Sequence, residues 1–149
     1  MWPSLLQDLL RRHYPTDLIG PHFGREVWGP VAGAVPRGHA IRARAFPWFR
    51  RVERRLGALA GDSILVAQKP RYASFGVALE LAARGGQPVI LDLDDDEAGF
   101  FERERPAWRE LVSLRNPNGY SWTRRMLQRV QEADAITAGS PTLARRHGG

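Results

Sequence analysis

The sequence predicts an α/β fold, a Rossmann-like parallel sheet with helices on both faces. Three observations lead there. Ile64 to Gln68 (ILVAQ) and Pro88 to Asp92 (PVILD) are apolar runs of strand length without polar alternation, as strands buried on both sides require. Between them Phe75, Ala78, Leu79 and Ala82 recur at i, i+3, i+4 and i+7, the spacing of one helix face. The alternation repeats near the end, where a helical pattern from Tyr120 to Ala133 runs into a short strand from Ala133 to Ala138. The sum is a sheet of four or five strands in one domain over residues 1–149.

In chain order, Ser4 and Gln7 have the form of a capping box, so a short helix is expected from about Leu5 to Arg12, within an N-terminal helical segment 1–13. Tyr14 to Pro21 reads as a strand entering a glycine-bearing loop, Gly20 to Gly24. A short helix from Arg25 to Ala34 and a weak strand from His39 to Phe46 follow. Pro47 suits the first turn of a helix reaching Ala60. At about 100° per residue that helix places Trp48, Phe49, Val52, Leu56 and Leu59 on one face and Arg50, Arg51, Arg54 and Arg55 on the other. Ser74 can cap the helix after ILVAQ, and Gly85-Gly86 closes it. Residues 98–119 read as irregular apart from one helix, Pro106 to Leu114. Trp122, Met126 and Val130 are in helical register, and Ser140-Pro141 caps a final helix.

Composition excludes several classes. With 43% hydrophobic and 26% charged residues the chain has the balance of a globular domain rather than a disordered one. No apolar run approaches the roughly 18 residues that span a bilayer, and the opening MWPSLLQDLLRRHYP lacks the pattern of a secretory signal. The chain has no cysteine, so it carries no disulfide framework and no thiolate metal site. A cytoplasmic location is the expectation. The formal charge of +6 is matched by one segment, Arg37 to Arg55, with seven arginines against one glutamate. Such an excess implies an anionic partner at one face, with peripheral contact at an anionic inner membrane surface one candidate. Nucleic acid is not expected, because Arg50 to Arg55 lacks interleaved exposed aromatics for base stacking.

In an open parallel sheet, ligands bind beyond the carboxyl ends of the strands. Three loops meet that description: Gly20 to Gly24, Lys69-Pro70-Arg71 after ILVAQ, and Asp92 to Glu97 after PVIL. The first is not a GxGxxG fingerprint, and Gly24 to Gly29 is not a P-loop, since Pro30-Val31 stands where Lys-Ser or Lys-Thr is needed. Gly24 still lets backbone amides approach an anion. Lys69 and Arg71 can hold a phosphate or carboxylate, or can neutralise the neighbouring aspartates. The acidic run fails as a calcium loop, with Glu97 at the sixth position and Arg103 at the twelfth. Asp92 and Asp94 could hold a magnesium ion; alternatively Asp94 or Asp95 could accept hydrogen bonds from sugar hydroxyls or take a proton. A solvated acidic strand end is the plain alternative. The histidines show no i, i+4 pair, and no Gly-x-Ser-x-Gly elbow occurs.

Four stretches in order, DLIGPHFGREVWGP, GDSILVAQKPRYASFGVALELA, QPVILDLDDDEAGF and ADAITAGSPTLARRHGG, resemble the N-terminal domain of family-4 (group 1) glycosyltransferases of the GT-B architecture. The resemblance covers about residues 14–149. It implies an acceptor-side Rossmann-like domain, a sugar or lipid-linked acceptor, a nucleotide-diphosphate sugar as donor, retention of configuration and no essential metal or other cofactor. It places Gly24, Lys69 and Arg71 at the cleft as substrate-binding residues. Asp94 and Asp95, as catalytic candidates, would stand where many members have a polar residue, often histidine, and the acidic cluster departs from that pattern. The family's Glu-x7-Glu signature belongs to a second, donor-binding domain not found in these residues, so the chain is expected to be inactive alone. Two rivals stand beside this reading: an Asp-rich, magnesium-dependent phosphotransfer or phosphatase-like domain, and a non-enzymatic module binding anionic surfaces.

Overall fold

The computed structural model describes residues 2–25, 39–97, 99 and 112–148. The helix expected from Arg25 to Ala34 lies outside the described residues apart from Arg25, as does most of the one expected from Pro106 to Leu114. The protein is mixed α/β with two small parallel sheets. It divides into two compact units, one of residues 1–44 and 48–60, the other of residues 45–47 and 61–149. The strands expected in one sheet are thus distributed over two.

In the first unit, α1 (Trp2–Leu10) starts ahead of Ser4, which falls inside the first turn rather than capping it. Gln7 is 4% exposed and serves a different end. With its amide turned to suit its neighbours, its oxygen accepts from Arg11 Nη2 at 3.1 Å and from the Leu18 N–H at 3.0 Å. Arg11 Nε also donates to the Thr16 carbonyl at 2.9 Å. These bonds hold Tyr14 to Ile19 as a loop, and Pro15 has no N–H to offer a ladder. The expected strand is therefore reduced to β1 (Gly20–His22), paired in parallel with β2 (Ala40–Arg42), Gly20 opposite Ala40 and His22 opposite Arg42.

The same unit holds α2 (Phe49–Ala60), which buries Phe49, Val52, Glu53, Leu56 and Ala60. Phe49 has no exposed surface and stacks on Phe23 with ring centroids 5.9 Å apart. Arg50, Arg51, Arg54 and Arg55 are exposed, as the periodicity predicts. Trp48 and Leu59 depart from expectation, being 49% and 41% exposed. The buried arc is centred on Leu56 and extends toward Glu53, and residues 48 and 59 fall just outside its opposite border.

In the second unit β3 (Leu65–Gln68), β4 (Val89–Leu93) and β5 (Ala135–Ala138) form a parallel sheet in that spatial order. A π-helical turn, Tyr72–Gly76, precedes α3 (Val77–Gly85), where one helix capped at Ser74 was expected. Gly86, at φ 75°, ends α3 by donating its N–H to the Ala82 carbonyl at 2.7 Å. After β4 comes α4 (Tyr120–Leu127), shorter than its sequence pattern, then a 3-10 turn, Val130–Glu132. Arg129 closes that turn with two hydrogen bonds to Glu132, each 2.7 Å. Asp134 then fixes β5 against β4: its N–H donates to the Val89 carbonyl at 2.9 Å, and its carboxylate accepts from the Val89 N–H at 2.8 Å. α5 (Pro141–His147) follows, capped by Ser140, whose Oγ accepts from Leu143 N at 3.2 Å. No helix among the described residues is long and apolar enough to cross a membrane.

Register and alternation put Ala67, Val89, Leu91 and Leu93 on one face of this sheet, and all four are buried. α3 packs on β3 and β4. On the other face Val66 is 41% exposed, and Ala135 and Thr137 are exposed as well. The π-turn is wedged by aromatic packing. Tyr72 lies 4.4 Å from Trp122 and 5.4 Å from Phe46 between ring centroids. Gly76 makes room for this: a Cβ there would stand 2.6 Å from Tyr72 Cδ2 and 2.9 Å from Met126 Sδ. Gly76→Ala is therefore expected to destabilise the protein by about 1–3 kcal/mol, overpacking outweighing alanine's better helix propensity. At Gly85 the three atoms nearest to an added Cβ all belong to the Gln87 side chain. Gly85→Ala should change stability by less than about 1 kcal/mol, and urea melts of the two variants check the contrast.

Candidate functional site

Because β3, β4 and β5 run the same way, the segments after their carboxyl ends gather on one edge. Those segments are Lys69-Pro70-Arg71, Asp94 to Glu97, and Gly139-Ser140. Lys69 leaves β3 at φ 69°, a left-handed conformation in a residue with a Cβ, immediately before a proline. Both features oppose the backbone preference of a residue in that place. Its N–H donates to the Asp92 carbonyl at 3.0 Å, and its own carbonyl accepts from the Arg71 N–H at 2.8 Å. A left-handed non-glycine and a π-turn in succession are the local irregularities that cluster at functional sites.

The turn delivers the Lys69 ammonium into the acidic run. Nζ lies 2.7 Å from Asp95 Oδ2, 3.0 Å from Glu97 Oε1 and 3.4 Å from Asp94 Oδ1. Glu97, only 1% exposed, is gripped from its other oxygen by Arg71, with Nη2 at 2.8 Å and Nε at 3.3 Å from Oε2. Arg146 of α5 donates to Asp96 Oδ2 at 2.7 Å. Partial burial works against the Lys69 charge, but hydrogen bonding to Asp95 and Glu97 and the fields of Glu97 and Asp94 outweigh it and raise the ammonium's pKa above its ordinary value. Asp94 Oδ1 and Glu97 Oε1, both shielded from solvent, meet Lys69 as ion-pair contacts.

Asp92 is separated from this group. It is 6% exposed and accepts from Thr137 Oγ1 at 2.7 Å across the sheet. No group of three or more His, Asp or Glu side chains is placed to hold a metal ion among the described residues. The middle of the carboxylate cluster is instead taken by the Lys69 ammonium. Of the residues singled out from sequence, Lys69, Arg71, Asp94 and Asp95 meet at this edge. Gly24, exposed and two residues past the end of β1, belongs to the other unit with Arg50, Arg51, Arg54 and Arg55.

Two contributors were not legible beforehand. Glu97 seemed one more solvated acid of the run, yet it is the buried anchor for both cations. Gly139 gave a faint signal, a glycine between a strand and the Ser-Pro cap. Its N–H donates to the Leu93 carbonyl at 2.7 Å, and a Cβ there would lie 3.0 Å from the Asp94 carbonyl oxygen. The backbone after β5 thus lies against Asp94. No family model, curated protein or solved structure matches the chain.

Arg71→Leu should cost about 1–3 kcal/mol by leaving Glu97 with one cation, less than a fully buried pair because Arg71 keeps partial exposure. In a Glu97→Gln background the same change should cost less than half as much, which a double-mutant cycle in urea measures. A pH effect is expected at the adjoining helix. Burial, reinforced by the neighbouring Arg146, lowers the His147 pKa below its usual 6.5, against a smaller opposing pull from Asp96. The unfolded chain then binds the proton more readily, so stability is complete above about pH 6.5 and falls as the pH drops through the folded-state value. Melts at pH 7.5 and 5.5 should differ less in His147→Gln than in the parent protein.

Proposed function

We propose that the chain is the acceptor-side half of a two-domain glycosyltransferase, and that the edge built from Lys69, Asp94, Asp95 and Glu97 receives a hydroxyl-bearing acceptor. The observation that carries this reading is the state of the charges at that edge. Lys69 and Arg71 are committed to carboxylates, and among the described residues four acidic side chains at this edge, Asp94 to Glu97, meet three cations, Lys69, Arg71 and Arg146. Cations already neutralised by carboxylates offer little to a nucleotide diphosphate. The edge suits neutral hydroxyls, which donate to carboxylate oxygens, and the half-exposed Asp95 presents such oxygens to an incoming ligand. Asp95, 49% exposed, is the carboxylate best placed to take a proton from an incoming hydroxyl. The donor and its phosphates would then be held by a second domain, and transfer would need both halves closed together.

The purified chain should show weak binding of neutral glycosides and no transfer from nucleotide sugars. With a panel of methyl glycosides and UDP as probes, NMR shifts should move at Asp94 to Glu97 for at least one glycoside, and Asp94→Asn with Asp95→Asn should remove them without altering the fold. UDP bound at this edge more tightly than every glycoside would overturn the reading. Micromolar magnesium binding lost in Asp92→Asn or Asp94→Asn would favour phosphotransfer instead.

A further inference from the structure

The exposed face of α2 belongs to the first unit and the acceptor edge to the second, and the side chains of α2 are disposed in a way the sequence alone did not show. Arg50, Arg51, Arg54 and Arg55 are all exposed, and none of the four is held in an ion pair among the described residues. The helix's own acid, Glu53, is 7% exposed and lies on the buried arc, so it does not offset them at the surface. Trp48 and Leu59, 49% and 41% exposed, stand near the two ends of the helix. At about 100° per residue both fall on the border of the exposed arc beside Arg51 and Arg55, separated by roughly 16 Å at 1.5 Å rise per residue. A tryptophan and a leucine on one border, with an unpaired arginine stripe between and beside them, match an interface whose outer layer is anionic and whose inner layer is apolar.

We infer that α2 docks on anionic lipid surfaces, Arg50, Arg51, Arg54 and Arg55 meeting the headgroups while Trp48 and Leu59 enter the boundary with the acyl chains. Charge complementarity names the occupant as polyanionic, and the two apolar side chains select a bilayer over a nucleic acid. RNA would use Trp48 for stacking but has no use for Leu59. The phenylalanine, valine and leucine of the buried arc stay in the core, so attachment is peripheral and salt-sensitive. Each arginine near an anionic leaflet is worth roughly fivefold in affinity.

The test uses the whole chain with vesicles of phosphatidylcholine alone or with 30% phosphatidylglycerol (roughly a physiological anionic load), in co-sedimentation at low and high salt. Expected are attachment to the anionic vesicles only, its loss at high salt, and a drop of at least about a hundredfold when all four arginines become glutamine. Trp48→Ala and Leu59→Asn should each weaken attachment several-fold, and brominated lipid should quench less fluorescence in Trp48→Phe than in the parent. The paired variants Arg50→Gln with Arg54→Gln, and Arg51→Gln with Arg55→Gln, should give intermediate losses and stand in if the fourfold variant misfolds. No attachment at low salt, or attachment that survives the arginine changes, would overturn the inference. So would attachment indifferent to both Trp48→Ala and Leu59→Asn alongside equal binding of single-stranded RNA, which would mark a general polyanion patch.

Discussion

Burying a carboxylate with 1% of its surface exposed is costly unless partners meet its oxygens, and much of the second unit's site edge is arranged around that requirement at Glu97. Lys69 and Arg71 meet it from a single turn, one residue apart, by taking opposite oxygens. The left-handed backbone at Lys69 is the geometry that lets both side chains reach the same acid. The loop after β4 is in turn gathered onto the loop after β3, since Asp94 and Asp95 share the ammonium that Glu97 needs. Backbone bonds lock the arrangement from below, from Lys69 to Asp92 and from Gly139 to Leu93.

How far the fold was legible depends on which force shaped each part. β3, β4, α3 and β5 follow from apolar runs and helical spacing, because burial on a sheet leaves its period in the sequence. β1 was misjudged in extent, because Pro15, Thr16 and Arg11 settle the matter through local hydrogen bonds that hydrophobic pattern does not encode. The π-turn at Tyr72–Gly76 was not visible for a similar reason: it depends on Phe46 and Trp122, distant in sequence, closing on Tyr72. α2 was placed correctly, yet the borders of its apolar arc were not, since a wheel gives the centre of a buried stripe better than its width. At the edge of the sheet, residue type and position pointed to Lys69, Arg71, Asp94 and Asp95. The division of labour among the acids, with Glu97 buried and Asp92 turned to Thr137, is a product of packing alone.

The two units present opposite electrostatic characters. The edge of the three-stranded sheet has its cations neutralised by carboxylates, whereas α2 displays arginines that make no ion pair among the described residues. A composition average of +6 describes neither. Partner chemistry is better read from where counter-charges sit, which is why we propose hydroxyls for the first surface and lipid phosphates for the second.

Lys69 is the only lysine in the sequence. The neutral amine is the nucleophile toward acylating reagents, cyanate and reducing sugars, and the three surrounding carboxylates keep this one protonated. The Lys69 side chain should therefore be poorly receptive to amine-directed labelling, cross-linking and surface immobilisation, which leaves the α-amino group as the reactive amine. Any modification forced at high pH would dismantle the loop architecture before it reported on it. Arginine- or carboxylate-directed chemistry is the practical handle on this protein.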